Sequence, residues 1–171
     1  CKMRERLMAL DESGAPIRVA VIGCGRFGSM VISQIFRAPG MELAVACDLD
    51  SRRPVRLFNQ MGLDCHEVLV TSSVSEANDA VRRRKCVITD SMELVAEMEV
   101  DVVVEATGHP DSGADHARQA IAAGRHIVMV NVEADVLVGP ELKRQADQAG
   151  VVYSLAYGDQ PAVIEDLYDW A

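Results

Sequence analysis

The chain is poor in the features that mark several whole classes of protein. Positive charge is short: 17 Lys and Arg stand against 26 Asp and Glu in 171 residues, a net charge of −9. A polyanion such as nucleic acid would be repelled overall. No apolar run approaches the ~20 residues that span a bilayer. The opening CKMRERLMAL has no continuous apolar stretch of the kind that heads a secretory signal. The expectation is a cytoplasmic protein with neither membrane nor nucleic acid among its partners. The five cysteines fall without a CxxC or a regular spacing, which excludes the usual disulfide frameworks and zinc knuckles. His66, His116 and His126 show no ligand spacing with one another.

No internal repeat or low-complexity linker divides the sequence, and its length suits one main core. What fills it is an alternation. Short apolar runs rich in β-branched residues (IRVAVIG, MELAVACD, CVIT, VDVVVEAT, HIVMV, VVYSLA) alternate with segments of helical periodicity. Lys2–Leu10 reads as an amphipathic helix with Met3, Leu7 and Leu10 near one face. Further helices are expected over Arg26–Arg37, Arg53–Met61, SEANDAVRRRK, SMELVAEM, DSGADHARQAIAAG and, from Pro140, PELKRQADQAG. Strands apolar on both faces, alternating with helices, predict an α/β fold: a doubly wound parallel sheet covered on both sides.

The residues with chemical meaning collect where strands end. Gly23-Cys24-Gly25-Arg26-Phe27-Gly28 matches G-x-G-x-x-G, directly after the first strand and opening the first helix that follows it. That context is what a dinucleotide needs. Gly23 permits the tight turn, Gly25 lets a pyrophosphate approach the backbone, and Gly28 lets the helix pack on its strand. Free N–H groups at residues such as Arg26 and Phe27, with the helix dipole, then hold the diphosphate. Asp48 follows Gly28 at the distance, ~20 residues, where an acid accepts from the adenosine ribose hydroxyls. That acid favours NAD, whereas Arg52 and Arg53 just beyond it suit the 2′-phosphate of NADP. Ala106, Thr107 and Gly108 leave another strand at its carboxyl end, where open α/β sheets bind ligands, and are expected to contact the nicotinamide half. His109 reads as a loop residue, and Arg82–Lys85 as a solvated helix end. Asn131 ends the strand HIVMV and is expected to face the cofactor, with Glu133 close by as a candidate catalytic or metal-binding acid and Asp135 as a solvated residue.

Together VIGCGRFG, ACDLDSRR, VVVEATG and HIVMVN resemble the cofactor domain of homoserine dehydrogenase and of the glucose–fructose oxidoreductase/inositol dehydrogenase family. The stretch VMVNVEADVLVGPELKRQADQAGVVYSLAYGDQP is similar to 1-deoxy-D-xylulose-5-phosphate reductoisomerase-like proteins, also called homoserine dehydrogenase-like or SAF-domain oxidoreductases. The resemblance implies NAD or NADP as cofactor, a small-molecule substrate, and a homo-oligomer in the full-length protein. It implies a divalent metal in a reductoisomerase, with Glu133 a candidate for it. It also marks a departure: homoserine dehydrogenases carry a lysine straight after this asparagine, where this chain has Val132 and no lysine until Lys143. Asp159, in GDQP, falls where those enzymes have a glycine-rich segment before proline, as a catalytic candidate or a helix N-cap. The first residue is Cys and the last, Ala171, falls inside a helical pattern, so a piece of a longer protein is expected. The boundaries read as a lead-in over 1–16, a dinucleotide-binding domain over 17–155, and the start of a substrate and dimerisation domain over 156–171.

Overall fold

The computed structural model describes residues 2–62 and 68–156. Seven strands, β1 (Ile17–Ile22), β2 (Met41–Cys47), β3 (Val68–Val70), β4 (Cys86–Thr89), β5 (Val102–Glu105), β6 (His126–Met129) and β7 (Tyr153–Leu155), form one sheet in the order β3-β4-β2-β1-β5-β6-β7. Every pairing is parallel. Seven helices accompany them: α1 (Lys2–Glu12), α2 (Arg26–Ile35), α3 (Arg52–Met61), α4 (Val74–Arg82), α5 (Met92–Glu97), α6 (Pro110–Ala122) and α7 (Val132–Ala149). The chain winds outward from β1 through β2 to β3 at the edge, returns to β4 between β3 and β2, then crosses to β5 on the other side of β1. A switch of this kind opens a crevice above the carboxyl ends of β1 and β5.

The expected two-faced burial is present. On β1, Val19 and Val21 join Ile32 and Ile35 of α2 and Phe58 of α3 on one face. Ala20 and Ile22 face the other side, with Ala77 of α4, Leu94 of α5, Ile121 of α6 and Leu142 of α7. Phe36 and Phe58 meet edge to face, ring centroids 6.0 Å apart at 84°, a geometry that favours aromatic pairs. The β1–β2 register shifts between Val19 and Ala20, so that Leu43 and Val45 pair while Ala44 is passed over. Such a bulge strengthens the local twist next to a binding edge.

Four expectations need correction. Strand β3 lies in a region that periodicity left irregular, because its three residues are half-buried or exposed and carry little pattern. Helix α1 buries no residue, and Met3 is exposed; its anchorage is a backbone contact, the Leu7 carbonyl lying where a Cβ on Gly40 would sit. Helix α7 starts at Val132, not near Pro140. The Asn131 side chain caps it, its Oδ1 accepting from Ala134 N at 3.2 Å, and Glu133 and Asp135 in the first turn complement the dipole. Pro140 stays inside the helix despite the ~3 kcal/mol a proline costs there, so packing and capping outweigh local propensity. Asp135, finally, is more than a solvated acid: Tyr153 Oη donates to its Oδ1 at 2.5 Å and ties α7 to β7. Burial, and then that carboxylate, push the Tyr153 hydroxyl well above its ordinary pKa.

Ile127 is fully buried at the centre of the β5–β6–β7 half of the sheet. Ile127→Ala is expected to lower unfolding free energy by ~2–5 kcal/mol, read as a shift of the urea midpoint with unchanged slope.

Candidate functional site

The carboxyl ends of β1, β2, β4 and β5 converge on a cavity of about 440 Å3. Its walls begin with the glycine loop. Gly23 has φ +89, and a Cβ there would stand 2.8 Å from the Ala106 carbonyl carbon and from Thr107 N. A Cβ on Gly28 would lie within 3 Å of the Gly23 carbonyl carbon and still closer to its oxygen. Both glycines are thus required by close backbone approach. Gly25 is different: a Cβ there meets nothing within 4 Å, and the residue lines the cavity. It also begins α2 with no side-chain cap, so the first N–H groups of the helix remain free for an anion. This is the fit a pyrophosphate asks of a protein. The Arg26 and Phe27 side chains are exposed and outside the cavity lining; Phe27 instead borders an apolar groove along α2.

Asp48 lies at the cavity's next corner, 7% exposed. Its Oδ2 accepts from Cys24 N at 2.8 Å and lies 3.8 Å from Arg53 Nη1, while Oδ1 accepts from Asp50 N at 2.9 Å. The acid thereby stitches the glycine loop to the loop after β2 and still borders the ligand space. Of the two neighbouring arginines, Arg53 lines the cavity. Arg52 turns to Asp50, its Nε 2.7 Å from Oδ1, and its side chain is 83% exposed. Cys47, also in the wall, has its thiol pushed up to about 12, as has Cys24, by burial foremost. Both stay neutral at physiological pH, so neither is an activated nucleophile.

Beyond β5 the loop from Ala106 to His109 closes the site. Ala106, Thr107 and His109 line the cavity, and Gly108 takes φ +72 to turn the loop. Asn131 sits behind it, 1% exposed and outside the cavity lining. Its Nδ2 donates to the His109 carbonyl at 2.9 Å and to Thr107 Oγ1 at 3.5 Å. Its visible work is to hold the wall and cap α7. Glu133 is exposed on the first turn of α7, outside the cavity lining. Among the described residues no three His, Cys, Asp or Glu side chains assemble to hold a metal ion. Asp159 lies outside the described residues.

The structure adds a group that sequence reasoning passed over. Glu105, the last residue of β5, is fully buried. Its Oε1 accepts from Thr107 Oγ1 at 2.5 Å and Thr107 N at 3.2 Å, and lies 3.3 Å from His116 Nδ1. Its Oε2 has no hydrogen-bond partner among the described residues. His116 lines the cavity, as do Asp90, Met92 and Glu93 from the far side of β2. A signal for this existed: an acid closing an apolar strand requires buried partners. Those partners come from another helix, beyond the reach of spacing arguments.

With that geometry in view, comparison with known proteins is decisive for the family. Residues 23–155 match the family model described as homoserine dehydrogenase, NAD binding domain. The chain belongs to that family. The cofactor is accordingly NAD or NADP, and the domain is of the kind found in nicotinamide-dependent oxidoreductases. Solved structures repeat the fold. GenD2 from gentamicin A biosynthesis, in complex with NAD, is 24% identical at TM-score 0.57, covering 82% of this chain and 34% of its own. Biliverdin reductase from Synechocystis, with biliverdin and NADP+, is 17% identical at TM-score 0.61, covering 83% and 38%. A homoserine dehydrogenase from Thiobacillus denitrificans is 21% identical at TM-score 0.56, covering 82% and 29%. The chain therefore spans about a third of the length of these neighbours. No curated protein matches it. Among the described residues no helix is long and apolar enough to cross a membrane.

The two glycines of the homoserine dehydrogenase-type loop separate binding from folding. Gly25→Ala, whose methyl would enter the open space beside the helix start, is expected to leave thermal stability unchanged while weakening NADH binding by about tenfold or more, ~1.4 kcal/mol. Gly28→Ala is expected to lose both, because its methyl meets backbone. Paired NADH titrations and thermal melts check the contrast.

Proposed function

We propose that this domain holds NAD for an oxidoreductase that moves hydride between the nicotinamide and a carbonyl or hydroxyl carbon of a small molecule. The observation that carries the reading is the order of groups along the cavity: open Gly25 at a free helix start, then Asp48 at the neighbouring strand end. Bound there, the nicotinamide ring supplies the hydride chemistry, and the protein supplies position. The free N–H groups of α2 take the diphosphate. Asp48 accepts from the ribose hydroxyls beside it. Thr107 and the loop fixed by Asn131 limit where the other half of the dinucleotide lies. The substrate site and the oligomer interface belong to the longer protein.

The same Asp48 supports NAD over NADP. A carboxylate already fixed by Cys24 N and Asp50 N cannot swing away from a 2′-phosphate, and like charges in a half-closed site repel. Arg52 is occupied by Asp50.

A proton must accompany hydride transfer to a carbonyl. Val132 cannot carry it as a lysine would, and Glu133 stands in solvent on α7. We assign the proton carrier to residues outside the described ones, with Asp159 the candidate within this sequence. Sugar-phosphate rearrangement of the 1-deoxy-D-xylulose 5-phosphate type rests on the Asn131-Val132-Glu133 pattern and would need metal ligands from outside the described residues. Simple hydride transfer is therefore the preferred reading.

The test is spectroscopic. In the full-length protein, NADH is expected to bind about tenfold tighter than NADPH, and Asp48→Asn to narrow that gap. Oxidation of NADH should depend on an added carbonyl compound, with 1-deoxy-D-xylulose 5-phosphate assayed beside the aldehyde of aspartate. Tighter binding of NADPH would sink the NAD assignment. Tight NADH binding with no oxidation across a broad panel would leave a binding module in place of an enzyme.

A further inference from the structure

β5 is a strand of valines that ends on an acid. Val103 and Val104 are buried, and Glu105 after them is 0% exposed. An apolar side chain would fill that space without the cost of taking a carboxylate out of water. The contacts of Glu105 are lopsided. Oε1 accepts from Thr107 N at 3.2 Å and from Thr107 Oγ1 at 2.5 Å, and faces His116 Nδ1 at 3.3 Å. Oε2 has no hydrogen-bond partner among the described residues. A Cβ on Gly113 of α6 would stand 3.0 Å from Oε2 and closer still to Asn131 Nδ2. Glycine there lets α6 settle on β5, so that His116, one turn further along, reaches Oε1.

The direction of each hydrogen bond follows. A backbone N–H can only donate, so Thr107 N makes Oε1 an acceptor. The nitrogen facing the same oxygen must then carry its own proton. His116 is therefore protonated at Nδ1, and in the neutral ring the lone pair is on Nε2. The Thr107 hydroxyl also gives its proton to Oε1, which leaves its oxygen to accept from His109 N at 3.4 Å and Asn131 Nδ2 at 3.5 Å. Donation runs one way through the network and ends on one carboxylate oxygen. His116 lines the cavity, and its side chain is 17% exposed. With Nδ1 turned to the buried acid, Nε2 is the nitrogen left for a ligand.

We propose that Glu105 is a positioning residue: it holds His116 in the Nδ1–H form and so presents the bare Nε2 to the cavity as a hydrogen-bond acceptor for the bound dinucleotide. A carboxylate behind one ring nitrogen commonly fixes what the other offers. The partner is an O–H or N–H of the ligand, of which a nicotinamide dinucleotide has several. The proposal rests on the dinucleotide reading above and adds to it one contact and the group that orients it. Without Glu105 the ring is free to carry its proton on Nε2, where a donor would then face a donor.

Two measurements on the full-length protein test this. Ring-nitrogen NMR is expected to show the neutral His116 protonated at Nδ1 and bare at Nε2, and Glu105→Leu to reverse the two. Glu105→Gln keeps an acceptor in the same place and is expected to keep the Nδ1–H form. In fluorescence titrations NADH is expected to bind about tenfold weaker to His116→Phe, which keeps a planar ring without nitrogens. Glu105→Leu is expected to lose a similar factor and Glu105→Gln less. In the His116→Phe background Glu105→Leu is expected to add little, because the acid acts through the ring. ADP-ribose, titrated beside NADH, locates the donor. A loss for both ligands in His116→Phe puts it in the ADP-ribose part, and a loss for NADH alone puts it at the nicotinamide; either requires Nε2. A parent ring protonated at Nε2, or NADH binding unchanged in His116→Phe, overturns the proposal and leaves the dinucleotide reading standing. Neither result needs Glu105→Leu to fold. Failure of the parent protein to bind NADH would overturn the dinucleotide reading itself.

Discussion

The ligand-binding edge depends on one close approach, the α-carbon of Gly23 against the Ala106–Thr107 peptide. With no Cβ at Gly23, the end of β1 and the end of β5 come together where the chain's winding reverses, and the left-handed turn there sends α2 away from the sheet. Three other contacts follow from that seating. Gly28 packs on the Gly23 carbonyl, Ala106 N donates to Ile22 O at 2.8 Å, and Gly23 N donates to Cys47 O at 2.8 Å. The ends of β1, β2 and β5 are thereby locked at one height. A side chain at Gly23 would separate β1 from β5 and, with them, the glycine loop from the wall that faces it.

On this frame the polar groups divide into those that meet a ligand and those that hold the groups that do. Asp48 does both, bonding backbone on either side while bordering the cavity. Asn131 and Glu105 are buried and do the second kind of work from opposite ends of the β5–α6 loop. Asn131 takes its carbonyl at His109, and Glu105 takes Thr107 and His116. Such supporting bonds determine how accurately a site is placed. They also account for a buried carboxylate in a strand otherwise made of valine, since its cost is tolerable only with partners.

What could be read from the residues alone was whatever repeats or is local. The parallel sheet announced itself in strands apolar on both faces, and the glycine loop in three residues at fixed spacing after a strand. Asp48 followed from counting. The start of α7 was hidden because Pro140 is a strong local signal for a first turn, and the side-chain cap nine residues earlier overrides it. The bonds of Asn131 to the His109 carbonyl and Thr107 were out of reach for a related reason. Position at a strand end says that a residue is near the ligand edge, but not whether its side chain faces the cavity or the loop behind it. His116 and Glu105 are eleven residues apart across a strand–helix turn. Neither composition nor periodicity links a histidine on a helix to an acid beneath it.

The charge of the cavity sharpens the point. Asp48, Asp50, Asp90 and Glu93 line a site whose ligand carries a diphosphate, an arrangement that is repulsive if charges are only summed. It becomes favourable when they are placed. In the proposed binding mode the diphosphate takes the amino end of α2, where free N–H groups and the dipole give partial positive charge that falls off within a turn. The acids lie further along the cavity wall, past the end of β2, and in the proposed binding mode Asp48 there accepts from the ribose hydroxyls. Arg53, 3.8 Å from Asp48, and His116, anchored on Glu105, add cationic or donor groups to the same lining. An acidic cavity arranged in this way accepts an anion at one end because it offers hydrogen-bond acceptors at the other.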